Sequence, residues 1–137
     1  MTRRKRRVIA EVMDAFNERD WKRFFAATTD DFLVRTDERW PGGGVFQGRE
    51  ATMRFLEEFL DPWADVRYEP VGEPEPHGEL LLQRGRWFAH GATTGLGGRI
   101  DFALVAEYRE GRLSSAAFFL DYDEARAFAA AASGEGD

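Results

Sequence analysis

The stretch ELLLQRGRWFAHGATTGLGGRIDFALVAEYREGRLSSAAFFLDYDEAR, Glu79–Arg126, decides how the rest of this chain is read. Leu80 to Ala92 reads as a long strand, Arg99 to Arg109 as a second, and Leu113 to Tyr122 as a third. Gly95-Leu96-Gly97-Gly98 and Glu110-Gly111 separate them, and both are the glycine-bearing turns that hairpins use. A short helix follows. Asp121 is its cap, and Glu124 stands three residues later in the spacing of a capping box. Strands this long curve, and a curved meander covered by helices on its open side encloses a pocket.

The first half supplies those helices. Val8, Ile9, Val12, Met13 and Phe16 recur at helical spacing and predict a helix from about Arg6 to Glu18. Asp20 caps a short helix holding Trp21, Phe24 and Phe25. Phe32 to Thr36 predicts a short strand, and Pro41-Gly42-Gly43-Gly44 a loop. A third helix runs from about Arg49 to Leu60, with Met53, Phe55, Leu56, Phe59 and Leu60 on its apolar face and Pro62 as its stop. Val66, Tyr68, Pro70 and Glu73-Pro74-Glu75-Pro76 predict an edge strand, because proline has no N–H for a central ladder. Helices first and strands later is the α+β order, with the helices segregated on one face of a mostly antiparallel sheet.

At 137 residues the chain is expected to form one domain, 1–132, with a disordered tail at 133–137. The absence of cysteine excludes disulfides and thiol catalysis. A net charge of -6 argues against general nucleic-acid binding. The basic run Arg3-Arg4-Lys5-Arg6-Arg7 contributes five charges, so the remainder stands at -11. Cations oppose the dipole at a helix N-terminus, so the first few residues are expected to fray. No apolar run approaches the roughly 20 residues of a membrane span. A soluble, cytoplasmic protein is expected. The 19 aromatic residues can line a ligand cavity or simply fill a core.

Phe16-Asn17-Glu18-Arg19-Asp20-Trp21, Asp30-Asp31-Phe32 and Phe46-Gln47-Gly48-Arg49-Glu50-Ala51 resemble the first half of nuclear transport factor 2-like domains. Arg109-Glu110-Gly111-Arg112 and Leu120-Asp121-Tyr122-Asp123-Glu124-Ala125 resemble the second half of their SnoaL-like, polyketide cyclase-like branch. The resemblance runs from about Val8 to Ala130. It implies a cone-shaped α+β barrel, N-terminal helices packed over a strongly curved sheet, and a homodimer paired through the outer sheet face. It implies no single chemistry, because this fold hosts cyclases, isomerases, epoxide hydrolases, dehydratases and non-catalytic binders. The positions matching the ketosteroid isomerase acid–base set are Val12, Thr36 and about Ala103. Those matching the limonene epoxide hydrolase set are Phe118 and the region of Arg84 and Arg86. Neither carboxylate set is present.

Through period-2 alternation the same resemblance predicts that Asp101, Ala103 and Val105 face the cavity, together with Ala116, Phe118 and Leu120. On the preceding strand, Leu82, Arg84, Arg86, Phe88 and His90 are the inward set. A turn at Gly95-Leu96 then brings His90 opposite Asp101 and Arg84 opposite Glu107. His90 with Asp101 is the candidate general base and its orienting carboxylate, and Arg84 or Arg86 the candidate polarising donor. A surface ion pair is the competing reading of both. Trp40, beside the triglycine loop, is a candidate gate or else packs on Phe46. Thr36, Arg84, Arg86, Ala103 and Phe118 complete the candidate ligand-binding set. His77 is read as a loop residue, since no second ligand stands near it to make a metal site. Two functions follow. One is a cofactor-independent cyclase, isomerase or lyase abstracting a proton from a hydrophobic carbonyl compound. The other is a non-catalytic domain that binds a small apolar ligand or dimerises.

Overall fold

The structure is a computed structural model. It describes the backbone of residues 2–39, 44–60, 63–91 and 97–133, and their side chains except at 2, 63–65, 90, 91 and 97. Its helices are α1 (Thr2–Asn17), α2 (Trp21–Ala26), α3 (Gly48–Leu60) and α4 (Tyr122–Ser133). Its strands are β1 (Thr28–Thr36), β2 (Val45–Gln47), β3 (Trp63–His77), β4 (Leu80–Gly91), β5 (Gly97–Arg109) and β6 (Arg112–Phe119). The strands form one curved sheet in the order β2-β1-β6-β5-β4-β3. Among the described residues only the β1–β6 pairing is parallel. This is the expected α+β architecture.

The sheet has two apolar faces. Toward the concave side, α1 contributes Ile9, Val12, Met13 and Phe16, and α3 contributes Phe55, Leu56 and Phe59. They pack on Phe32 and Val34 of β1, Trp87 of β4, Phe102 and Leu104 of β5, and Ala116 and Phe118 of β6. On the outer side, Ala125 and Ala129 of α4 cover Leu80, Leu82, Ala103, Val105 and Ala117. The alanines let the helix axis approach the sheet closely. Asp121 Oδ1 accepts from Glu124 N at 3.1 Å, the cap foreseen from the sequence. Asp20 Oδ1 does the same for Arg23 N at 3.2 Å.

Strand β3 pairs with β4 alone, as an edge strand carrying three prolines should. Its outer margin is stapled by the end of α1. Asn17 Nδ2 donates to Tyr68 O at 3.0 Å, and Tyr68 N donates to Asn17 Oδ1 at 2.8 Å. Arg19, at a positive φ of 58°, donates from Nη2 to Val66 O and from Nη1 to Phe16 O, each at 2.6 Å. The side chains thus complete hydrogen bonds that a further strand would otherwise make.

Two sequence expectations are corrected here. The basic run is helical from Thr2, because the β3–β4 hairpin meets it with carboxylates and a carbonyl. Lys5 Nζ donates to Glu79 O at 2.6 Å, and Arg6 Nη1 lies 3.2 Å from Glu73 Oε2. His77 ends β3 instead of lying in a loop. Helix α4 includes Ser133, and the rest of the expected tail lies outside the described residues.

Candidate functional site

Between the helices and the concave face lies a cavity of about 40 Å³. Its walls are Val12, Met13 and Phe16 from α1, Phe24 from α2, Thr52, Phe55, Leu56 and Phe59 from α3, and Phe32, Val34, Trp87, Leu113, Ala116 and Phe118 from the sheet. None of these side chains titrates near neutral pH. The rings interlock edge to face, with Phe16 and Trp87 centroids at 4.7 Å and Phe59 and Trp87 at 5.4 Å. Trp87 carries an indole N–H, and Thr52 is the one residue of this lining with a hydroxyl. It is buried, and its hydroxyl has no hydrogen-bond partner among the described residues. Thr52 continues the α3 stripe through Phe55, Leu56 and Phe59 at spacings of three, four and seven, which is the signal in the sequence that could have found it.

Phe118 and Ala116 face this cavity as expected, but Ala103 does not. Ala103 packs on the outer side with α4, and Phe102 and Leu104 take the inward positions. The cause is a bulge in β6. Tyr108 pairs with Leu113 while Glu107 pairs with Ser115, so Ser114 is an inserted residue. Without it Ala103 would stand opposite Phe118; with it Leu104 does. A one-residue slip exchanges the faces of β5, and β4 follows its partner. Hence Trp87 and Ala89 point inward, and Leu82 joins the outer cluster, as do Ala103 and Val105.

The strand register does not set His90 opposite Asp101, and the His90 side chain lies outside those described. In the β4–β5 register His90 pairs with Gly97, and Arg86 stands opposite Asp101. Arg84 stands opposite Ala103, not Glu107. The β4–β5 register is offset by four residues from the one that a turn at Gly95–Leu96 implies; the turn itself lies outside the described residues. Asp101 is exposed and paired with two arginines: Arg86 Nε lies 3.1 Å and Arg99 Nε 3.4 Å from Asp101 Oδ1.

The structure does bring three of the candidates together elsewhere. Arg84, Arg86 and Asp101 line a cleft of about 250 Å³ with Val71, Gly85, Phe102, Leu120 and Tyr122. The Arg84 guanidinium carbon sits 3.8 Å from the centre of the Tyr122 ring. Tyr122 donates to Glu75, and that bond holds its hydroxyl above the ordinary tyrosine range. Thr36 lies apart from both places. It is buried, its Oγ1 accepting from Gly44 N at 2.6 Å, where it anchors the start of β2. Beside it, Arg39 holds the Asp37 carboxyl well below the usual carboxylate range by donating Nη2 to Oδ2 at 2.6 Å. Trp40 lies outside the described residues; Phe46 packs on Phe55, the rings tilted with centroids 4.7 Å apart. Among the described residues no group of His, Asp or Glu is arranged to hold a metal ion. No helix among the described residues is long and apolar enough to cross a membrane.

The fold is shared widely among solved structures. A nuclear transport factor 2-like protein of unknown function from Burkholderia pseudomallei superposes with a TM-score of 0.73 at 21% identity, covering 87% of this chain and 92% of its own. TerC, co-crystallised with polyporic acid, gives 0.74 at 17% identity over 90% and 95% of the two chains. A protein of ketosteroid isomerase-like fold from Catenulispora acidiphila, in complex with trimethylamine, gives 0.70 at 11% identity over 82% and 83%. No curated protein matches the chain. The SnoaL-like domain family matches residues 9–116, most of the chain, and with the concave sheet and its helix roof in place this protein belongs to that family.

Proposed function

We propose that this SnoaL-like chain is a non-catalytic binder of a small apolar molecule, held between α1–α3 and the concave sheet face. The observation that carries the reading is the cavity lining: apolar walls and one buried hydroxyl, with no titratable side chain among the described lining residues. Proton abstraction needs a base within hydrogen-bond reach of the reacting carbon, and the enclosed walls offer none. The candidate carboxylate, Asp101, is exposed and bound to arginines. At about 40 Å³ the cavity has room for roughly three water-sized spheres, so a ring-sized guest requires the phenylalanine walls to turn. Relatives of the same fold co-crystallised with polyporic acid and with trimethylamine support small-molecule binding as the use of the scaffold. The proposal includes the homodimer that the family resemblance implies, with sedimentation velocity as its check.

The test is ligand-induced stabilisation. Toluene and indole are titrated while thermal unfolding is followed, with native mass spectrometry on the same samples. A saturable rise in Tm supports binding, since a ligand selective for the folded state stabilises it by mass action. A flat response to both probes overturns the reading. So does catalysed exchange of the α-protons of a hydrophobic ketone probe that His90→Ala and Asp101→Asn abolish.

A further inference from the structure

We propose that the outer cleft beside α4 is a second binding site, for a small carboxylic acid with a flat apolar body. It lies on the sheet face away from the enclosed cavity, where α4 already covers part of the sheet. It does not depend on that cavity being occupied, and it requires that the homodimer proposed above leave this end of the outer face open. Four observations converge on it.

The first is charge. In a chain of net charge -6, Arg84, Arg86 and Arg99 project from adjacent strands around this cleft, and Arg126 reaches it from α4, 5.7 Å from the Tyr122 ring. Asp101, Glu75 and Glu69, which stands opposite Arg86 on β3, are the carboxylates that face them. The local balance is therefore positive on an acidic protein. The second is valence. Arg86 and Arg99 share Asp101, whereas Arg84 has no carboxylate within ion-pair distance among the described residues. Its guanidinium rests over the Tyr122 ring and leaves its donors available.

The third is fixed placement. Tyr122 is locked by its bond to Glu75, and the stacked ring holds the guanidinium in turn. A guanidinium already ordered by stacking loses less freedom when it grips a carboxylate in the fork geometry. The fourth is the lining. Val71 and Leu120 give the cleft apolar lining beside the Tyr122 ring. At about 250 Å³ the space suits one ring with its carboxylate, with Arg84 gripping the anion and the apolar lining receiving the ring.

The probe is benzoate, titrated against the full-length protein by calorimetry at low and at moderate salt, with toluene as the uncharged comparator. Saturable binding that weakens as salt rises is expected. Arg84→Gln should weaken it by about tenfold or more, as removal of a charge-assisted fork does. Arg84→Lys should recover only part of the loss, because lysine keeps the charge without the planar stack. Toluene-induced stabilisation should be unchanged in Arg84→Gln, which separates this cleft from the enclosed cavity. Benzoate binding that is absent, insensitive to salt, or equal in wild type and Arg84→Gln overturns the proposal.

Discussion

Gly85 pairs with Phe102 across the β4–β5 ladder, and the Phe102 ring occupies the space that a side chain at position 85 would need. A Cβ built there meets Phe102 Cζ at 2.7 Å and Tyr68 Cε2 at 2.7 Å. Both rings are buried and packed against Trp87, with centroids at 5.4 and 5.6 Å, so neither can retreat cheaply. Gly85→Ala is expected to destabilise the fold by about 1–3 kcal/mol, the usual range for overpacking. Urea denaturation reads this directly, and an unchanged midpoint would mean that the rings yield.

Asn17 is expected to be worth more than its half-exposed position suggests. Asn17→Ala leaves both Tyr68 N and Tyr68 O without their side-chain partner. A loss of about 1–3 kcal/mol is expected, as for polar groups left unsatisfied. Amide exchange at Tyr68 should quicken by more than exchange at Leu104 in the centre of the sheet. Equal acceleration at both would show global destabilisation in place of a local release.

Phe32 is buried against the enclosed cavity. Phe32→Ala should cost about 3–5 kcal/mol and enlarge the void. Toluene should then raise the Tm of the variant by more than that of the wild type, because a larger apolar void accepts a ring without moving its walls. Equal shifts would mean that the cavity collapses when the ring is removed.

Asp31 gives a pH signature. Arg109 donates Nη2 to Asp31 Oδ1 at 2.6 Å and Nη1 to Oδ2 at 3.2 Å, and this fork holds the carboxyl down to about 2. A depressed folded pKa contributes stability above the unfolded value of about 3.9, and that contribution is lost as pH falls toward 2. The pair is surface-exposed, so the effect is expected to be small and to shrink with salt. The difference in urea midpoint between wild type and Asp31→Asn should be constant near pH 5 and close between about pH 4 and pH 2. A gap that persists at pH 2 would assign the difference to packing.

Periodicity carried much of the architecture. The α1 and α3 stripes, the Asp20 and Asp121 caps and the proline-marked edge were all legible, because each depends on local chemistry. The dipole of the N-terminal helix is local, whereas the hairpin groups that receive Lys5 and Arg6 lie more than sixty residues away. The candidate site depended on something finer. Which face Ala103 shows is set by Ser114, one extra residue in a strand whose sequence, Arg112 to Phe119, has no glycine or proline to announce a bulge. Arg84, Arg86 and Asp101 do meet, but on the face opposite the one expected. Arg84, Arg86 and Asp101 therefore lie on the side of α4, and Trp87 and Phe102 between them fill the interior.

The end of α1 also bears on how this chain behaves in a crowded solution. An uncovered sheet margin is a template onto which a foreign strand can add, the first step toward ordered aggregates. Asn17 and Arg19 already occupy Val66 O, Tyr68 N and Tyr68 O, and Pro70, Pro74 and Pro76 offer no N–H to a newcomer. The opposite margin is β2, three residues long. Accretion of neighbouring chains is thereby starved of a start on the long side and given too short a foothold on the other.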